Sequence, residues 1–148
     1  MNTKQTWQPD TQFFIASLAA VIYWITLYQI VQPATNLAWP LSEPIAFLLP
    51  CFIYPIVEEI VFRGLVQDEI GARLVNCRLA FLTCANVITS LIFTGLHFIN
   101  HPPLWALAVF IPSLVFGYFK DRSGSLFPPI LLHIFYNSGY FLIFTHQI

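Results

Sequence analysis

The sequence predicts an all-α integral membrane bundle of about five to six transmembrane or re-entrant helices. Three observations predict it. Hydrophobic residues make up 57% of the 148 residues and charged residues only 9%, against about 25% charged in an ordinary soluble domain. The mean hydropathy is +0.71. The apolar residues also fall into long runs parted by short polar or proline-rich stretches, and about 20 residues suffice to cross a bilayer core. A chain of this length then holds one domain, residues 1–148. A net charge of −1 offers nothing to nucleic acid, so the expected surroundings are lipid.

The first span is Phe13 to Val31, which carries no charge. No small-residue cleavage site follows it, so it is expected to stay in the protein. Gln32 to Pro44 is a proline-rich loop, with Trp39 in it and Trp24 nearby as expected interfacial anchors. Ile45 to Val66 is apolar but interrupted by Pro50, Pro55 and a charged cluster. Gln67 to Arg78 reads as a loop or a surface helix end. Leu79 to Ile99 is the next span, and Pro102 and Pro103 end it. Leu104 to Phe119 is a short span, Lys120 to Ser125 a polar turn, and Leu126 to Phe144 the last span. Cys51, Cys77 and Cys84 have no ligand spacing and read as small buried hydrophobes.

The basic residues suggest an orientation. Lys4 precedes the first span, Arg73 and Arg78 lie between the second and third, and Lys120 and Arg122 lie between the fourth and fifth. Five spans with the N-terminus inside satisfy the positive-inside rule.

Polar residues inside apolar runs are the functional candidates. A charge near the middle of a span costs about 2.5–3.5 kcal/mol on insertion scales, so such residues face protein or a water-filled cavity. Glu58, Glu59 and Arg63 interrupt the second apolar run. Glu59 and Arg63 are four apart, with the acid first, which is the favourable order for an ion pair on one helix face. That pair alone could serve only to neutralise itself and orient helices. Glu58 points about 100° away around a helix, and no Lys or Arg lies three or four residues from it. Burial raises a carboxyl pKa towards neutrality, which suits a general base. A protonated structural carboxyl is the competing reading.

His97 sits at the end of one span, and His133 and Asn137 share a helix face in the last. Imidazole and amide can both donate hydrogen bonds to an oxyanion, and a carboxylate beside a histidine can deprotonate water. These are the parts needed for peptide hydrolysis without a covalent intermediate. Two rivals stand beside this reading. Ser90, Ser113 and Ser138 could act as nucleophiles, but no GxSxG occurs. His97 and His101 are four apart, yet no HExxH is present; a zinc site on Glu58, His97 and His133 suits those ligand types.

Three motifs in this order, "EEIVFR", "FTGLH" and "HIFYN", resemble the CPBP intramembrane proteases (CAAX protease and bacteriocin-processing, or Abi), relatives of the Rce1-type prenyl protein endopeptidase. The resemblance covers about residues 50–140. It implies a glutamate-dependent endopeptidase without a metal cofactor. Glu58 would be the catalytic base with His97 assisting, His133 and Asn137 the oxyanion pair, and Glu59 and Arg63 supporting positions. The short chain is similar to bacterial members paired with C-terminal sorting signals, such as the JDVT-CTERM type. That implies the bacterial inner membrane and, as partner, a membrane-anchored protein or peptide substrate. Non-enzymatic immunity proteins of the same family are the alternative.

The spans raise a question of depth. If Ile45 to Val66 were one span, Glu58 and His97 would differ in depth by roughly 15 Å. A helix that begins near Pro55 and runs to about Leu74 would remove the mismatch. Residues 45–54 would then form a separate, broken or re-entrant piece.

Overall fold

The computed structural model describes residues 7–144. Six helices carry the fold among the described residues: α1 Thr11–Val31, α2 Trp39–Ser42, α3 Pro44–Arg73, α4 Cys84–His97, α5 Pro103–Ser123 and α6 Phe127–Phe144. A two-stranded antiparallel hairpin, β1 Arg78–Leu79 and β2 Leu82–Thr83, joins α3 to α4. Helices α1, α3, α5 and α6 are long and apolar enough to cross a membrane, and α4 is a shorter apolar helix. The chain is an all-α integral membrane protein, as its hydropathy predicts.

Local chemistry sets the helix ends. Asp10 caps α1 by accepting from the Phe13 amide at 3.1 Å. Thr83 caps α4 in the same way, through the Asn86 amide at 3.0 Å. Pro112 has no N–H for the carbonyl four residues back, and α5 is interrupted at Val109, just before that site. At the C-terminal end of α5, Gly124 adopts φ +64°, a left-handed conformation that glycine adopts at little cost.

Several sequence expectations need correction. Residues 45–54 are not a separate piece, because α3 runs unbroken from Pro44 to Arg73. Pro50 and Pro55 are absorbed by a wider winding. The helix is π-wound over Leu49–Ile53 and again over Ile60–Val66, so hydrogen bonds skip five residues instead of four. The span expected from Leu79 is a shorter helix that begins at Cys84, because residues 78–83 form the hairpin. Residues 120–123 continue α5, and the turn begins only at Gly124. Cys77 and Cys84 form a disulfide across the hairpin, whereas Cys51 is a buried free thiol as expected. Trp39 is buried edge-to-face against Phe47, with centroids 5.4 Å apart, so it packs against protein. Lys4 lies outside the described residues.

The chain divides into two compact units. One holds residues 1–56 and 131–148. In it α6 packs on α1: the Tyr136 hydroxyl donates to the Ala16 carbonyl at 2.7 Å, and Trp24 lies 5.1 Å from Phe135 between ring centroids. A Cβ on Gly139 would come within 2.3 Å of the Trp24 ring. Only glycine admits that contact, which occupies Trp24 with protein as well. The other unit holds residues 57–130. It contains the lower part of α3, the hairpin, α4 and α5.

Candidate active site

The C-terminal part of α3 and the whole of α4 form an antiparallel pair. Its register is read from three contacts. Phe62 meets Phe93 edge-to-face at 5.0 Å. The Arg63 guanidinium lies 5.0 Å from the centroid of the same Phe93 ring. A Cβ on Gly71 would lie 3.7 Å from that of Ala85. One turn further along α4 from Phe93 is His97, and one turn back along α3 from Phe62 and Arg63 are Glu58 and Glu59. At 1.5 Å per residue, both the glutamates and His97 lie about 20 Å from the hairpin end. The depth mismatch therefore disappears without a break in α3, because α3 ends at Arg73 and not at Val66.

Glu59 and Arg63 are both 0% exposed, and Arg63 Nε lies 3.3 Å from Glu59 Oε2. The expected ion pair is present and fully buried. One nitrogen of the guanidinium reaches α5: Arg63 Nη2 donates to the Ser113 carbonyl at 2.9 Å and to its hydroxyl at 2.7 Å. Phe116 stacks on the cation from 5.7 Å. Ser113, weighed above as a nucleophile, is thus an acceptor that holds the arginine. Glu58 is half-buried and acts on Arg63 after Glu59. It therefore sits in the field of a cation five residues away. The three- and four-residue spacing rules of an α-helix do not anticipate this; the π-wound stretch Ile60–Val66 begins between the two residues.

His97 is held in one orientation. Its Nδ1 lies 2.8 Å from the Phe93 carbonyl. A carbonyl only accepts, so Nδ1 carries the hydrogen, and Nε2 is the nitrogen that takes or gives a proton. The ring sits 4.4 Å from Phe93 and 5.8 Å from Trp105, with His101 stacked at 5.7 Å. His101 in turn lies 4.0 Å from Trp105. The two histidines considered above as a metal pair are stacked rings in an aromatic cluster. Among the described residues, no three or more His, Cys, Asp and Glu side chains are placed to hold one metal ion.

His133 and Asn137 lie in the other unit, one turn apart on α6. His133 is buried. Asn137 Nδ2 donates to the Pro50 carbonyl at 2.9 Å.

Below Arg63 a polar ladder continues that sequence reasoning passed over. Gln67 is 2% exposed and donates to the Gly117 carbonyl at 3.1 Å and to Asp121 at 2.7 Å. The second oxygen of Asp121 accepts from Thr83 at 2.6 Å. From α4, Asn86 donates to the Leu114 carbonyl at 2.9 Å. The available signal was the four-residue spacing: Glu59, Arg63 and Gln67 on α3, and Ser113, Gly117 and Asp121 on α5. A Cβ on Gly117 would lie 2.1 Å from Asn86 Oδ1, so this glycine lets the helices close on their polar residues. At the end of the ladder is a cleft of about 260 Å³ lined by residues that include Asp68, Arg78, Thr83 and Asp121. Lys120 pairs with Asp68 there at 2.7 Å.

A helical membrane protein with a carboxylate pair and a histidine at one level of a helix pair is the class that fold and geometry define. The pattern of the Type II CAAX prenyl endopeptidase Rce1-like family matches residues 40–139. The chain belongs to that family, which is one of proteases. It is also similar to an uncharacterized 24.3 kDa protein of Escherichia coli, at 33% identity over 95 residues, 64% of this chain and 42% of the relative. The chain thus spans less than half the length of that relative. No solved structure matches it.

Proposed function

We propose that the protein is an intramembrane endopeptidase that cuts a peptide bond near the C-terminus of a membrane-anchored protein or a protein bearing a sorting signal. The observation that carries the reading is the common level of Glu58, Glu59 and His97 in the α3–α4 register, with Glu59 committed to Arg63. In this reading Glu58 takes a proton from water as the water oxygen adds to the scissile carbonyl. His97 assists through Nε2. The oxyanion accepts hydrogen bonds from His133 and Asn137, roles that rest on the family resemblance. The C–N bond then breaks, and the proton held by Glu58 passes to the leaving amine. Glu59 and Arg63 support the site.

The test uses the full chain in lipid nanodiscs, supplied with a prenylated CAAX peptide or with a membrane-anchored protein carrying a C-terminal sorting tail. Cleavage of the second substrate is expected. It is expected to fall at least about 100-fold in His97→Ala and to survive a chelator. Loss of cleavage with chelator and its return with zinc would overturn the metal-free mechanism. A folded wild-type protein that cuts neither substrate would favour an immunity or interaction role.

The reading includes the bacterial inner membrane with the N-terminus inside. Arg78 lines the cleft that Asp121 also lines, and Lys120 pairs beside it, so basic residues of the hairpin and of the last turn of α5 gather at one end of their unit. That end would face the cytoplasm. Cys77 and Cys84, close enough to bond, lie in the hairpin at this end, and in a cytoplasmic loop the pair is held reduced in the cell. In intact cells carrying the Cys51→Ala variant, a membrane-permeant maleimide is expected to label the pair and an impermeant one is not. Labelling by the impermeant reagent, or a pair already oxidised in the cell, would reverse the orientation.

A further inference from the structure

The π-wound turn at Leu49–Ile53 leaves one carbonyl in need of a donor. The Tyr54 amide donates to the Leu49 carbonyl, five residues back. In the same pattern the donor for the Pro50 carbonyl is the amide of residue 55. Residue 55 is proline and has no N–H. A backbone carbonyl within a membrane span must find its partner in the protein. Asn137 supplies one, since its Nδ2 donates to the Pro50 carbonyl at 2.9 Å. All of these residues belong to one compact unit.

We propose that Asn137 is a positioning residue: it provides the hydrogen bond that Pro55 withholds from Pro50, and so fixes the wide turn in the helix that carries Glu58 and Glu59. This role is separate from the oxyanion contact assigned to Asn137 in the proposed mechanism. An amide has two N–H groups, and the backbone clamp uses one. The clamp is a matter of hydrogen-bond geometry; only its link to catalysis rests on the protease reading. It also accounts for two features at once. A proline is tolerated inside a long membrane helix because another helix replaces its lost donor. The asparagine lies one turn beyond His133 because that is where the donor is needed.

The test is a double-mutant cycle on the full chain in detergent micelles. Asn137→Leu removes the donor, and Pro55→Ala restores a backbone N–H at residue 55. Asn137→Leu is expected to lower the thermal unfolding temperature, and on the Pro55→Ala background the drop is expected to shrink by more than half. Additive effects of the two changes would overturn the proposal. A second readout does not depend on stability. Pro50–Cys51 is the chain's one Pro–Cys dipeptide, so labelling proline with carbonyl ¹³C and cysteine with ¹⁵N isolates the Pro50 carbonyl resonance. That resonance is expected to move upfield in the milder variant Asn137→Ser and to return in Pro55→Ala/Asn137→Ser. An unmoved resonance would also overturn the proposal. Cleavage reports separately on the oxyanion role: if that role is real, the double variant regains stability but not turnover. A wild-type protein without protease activity would refute the protease reading and leave the cycle fully readable.

Discussion

Glu58→Gln is expected to lower turnover by about 100- to 10,000-fold, the range associated with one general base, while the protein stays folded. Glutamine keeps the size and the hydrogen-bonding reach of the side chain but cannot accept a proton from water. Glu58 is half-buried, so the variant leaves no buried charge stranded, and removing a charge from a membrane span relieves an insertion cost of about 2.5–3.5 kcal/mol. The unfolding temperature should therefore hold or rise. Glu59→Gln should do the reverse, because Glu59 is fully buried against Arg63: stability falls first, and activity falls with it. Single-turnover cleavage and thermal unfolding, measured on the same preparations, separate the two carboxylates. A folded Glu58→Gln protein with wild-type turnover would move the base elsewhere, and Glu59 would be the next candidate. Glu58→Asp draws the carboxylate back by one methylene. It should retain a small part of the activity, since proton transfer needs the base within hydrogen-bond reach of its water.

The parts of this fold that could be read from the chain were those governed by hydropathy and by α-helical spacing. The apolar runs matched helices because a bilayer demands long uncharged segments with every backbone group satisfied internally. The Glu59–Arg63 pair was legible because it obeys the four-residue rule. Three features escaped for identifiable reasons. Pro50 and Pro55 read as helix breakers, whereas π-wound turns carry α3 through them with the aid of a donor from α6, 87 residues away in sequence. Glu58 showed no cation at helical spacing, and the three- and four-residue rules say nothing of Arg63, five residues on, whose field it shares. Leu79, Phe81 and Leu82 looked like the start of a span, yet they belong to a hairpin closed by a disulfide whose seven-residue spacing matches no motif. The polar ladder from Arg63 to Asp121 was hidden differently. Gln67, Ser113 and Asp121 are ordinary residues in sequence, and only the packing of α5 on α3 gives them partners.

Arg63→Met is expected to destabilise the protein by about 3–5 kcal/mol, the cost of removing one partner from a buried ion pair. Three losses combine in it. Glu59 keeps a carboxylate at 0% exposure without its counter-charge. The Ser113 carbonyl and hydroxyl lose a shared donor. The cation leaves the faces of Phe93 and Phe116. Arg63→Lys keeps the charge but has a single nitrogen in place of the guanidinium fork, so it cannot bond Glu59 and Ser113 in the same geometry; an intermediate loss is expected. The decisive comparison is Glu59→Gln combined with Arg63→Met. The double variant buries no charge, so it should be more stable than Arg63→Met alone, a coupling that additive behaviour would exclude. Chemical or thermal unfolding in micelles measures all four proteins. Activity then gives the pair its role. If Glu59 and Arg63 only support the site, the double variant should recover turnover roughly in step with its stability. A double variant that regains stability but stays inactive would assign one of the two residues to the chemistry itself.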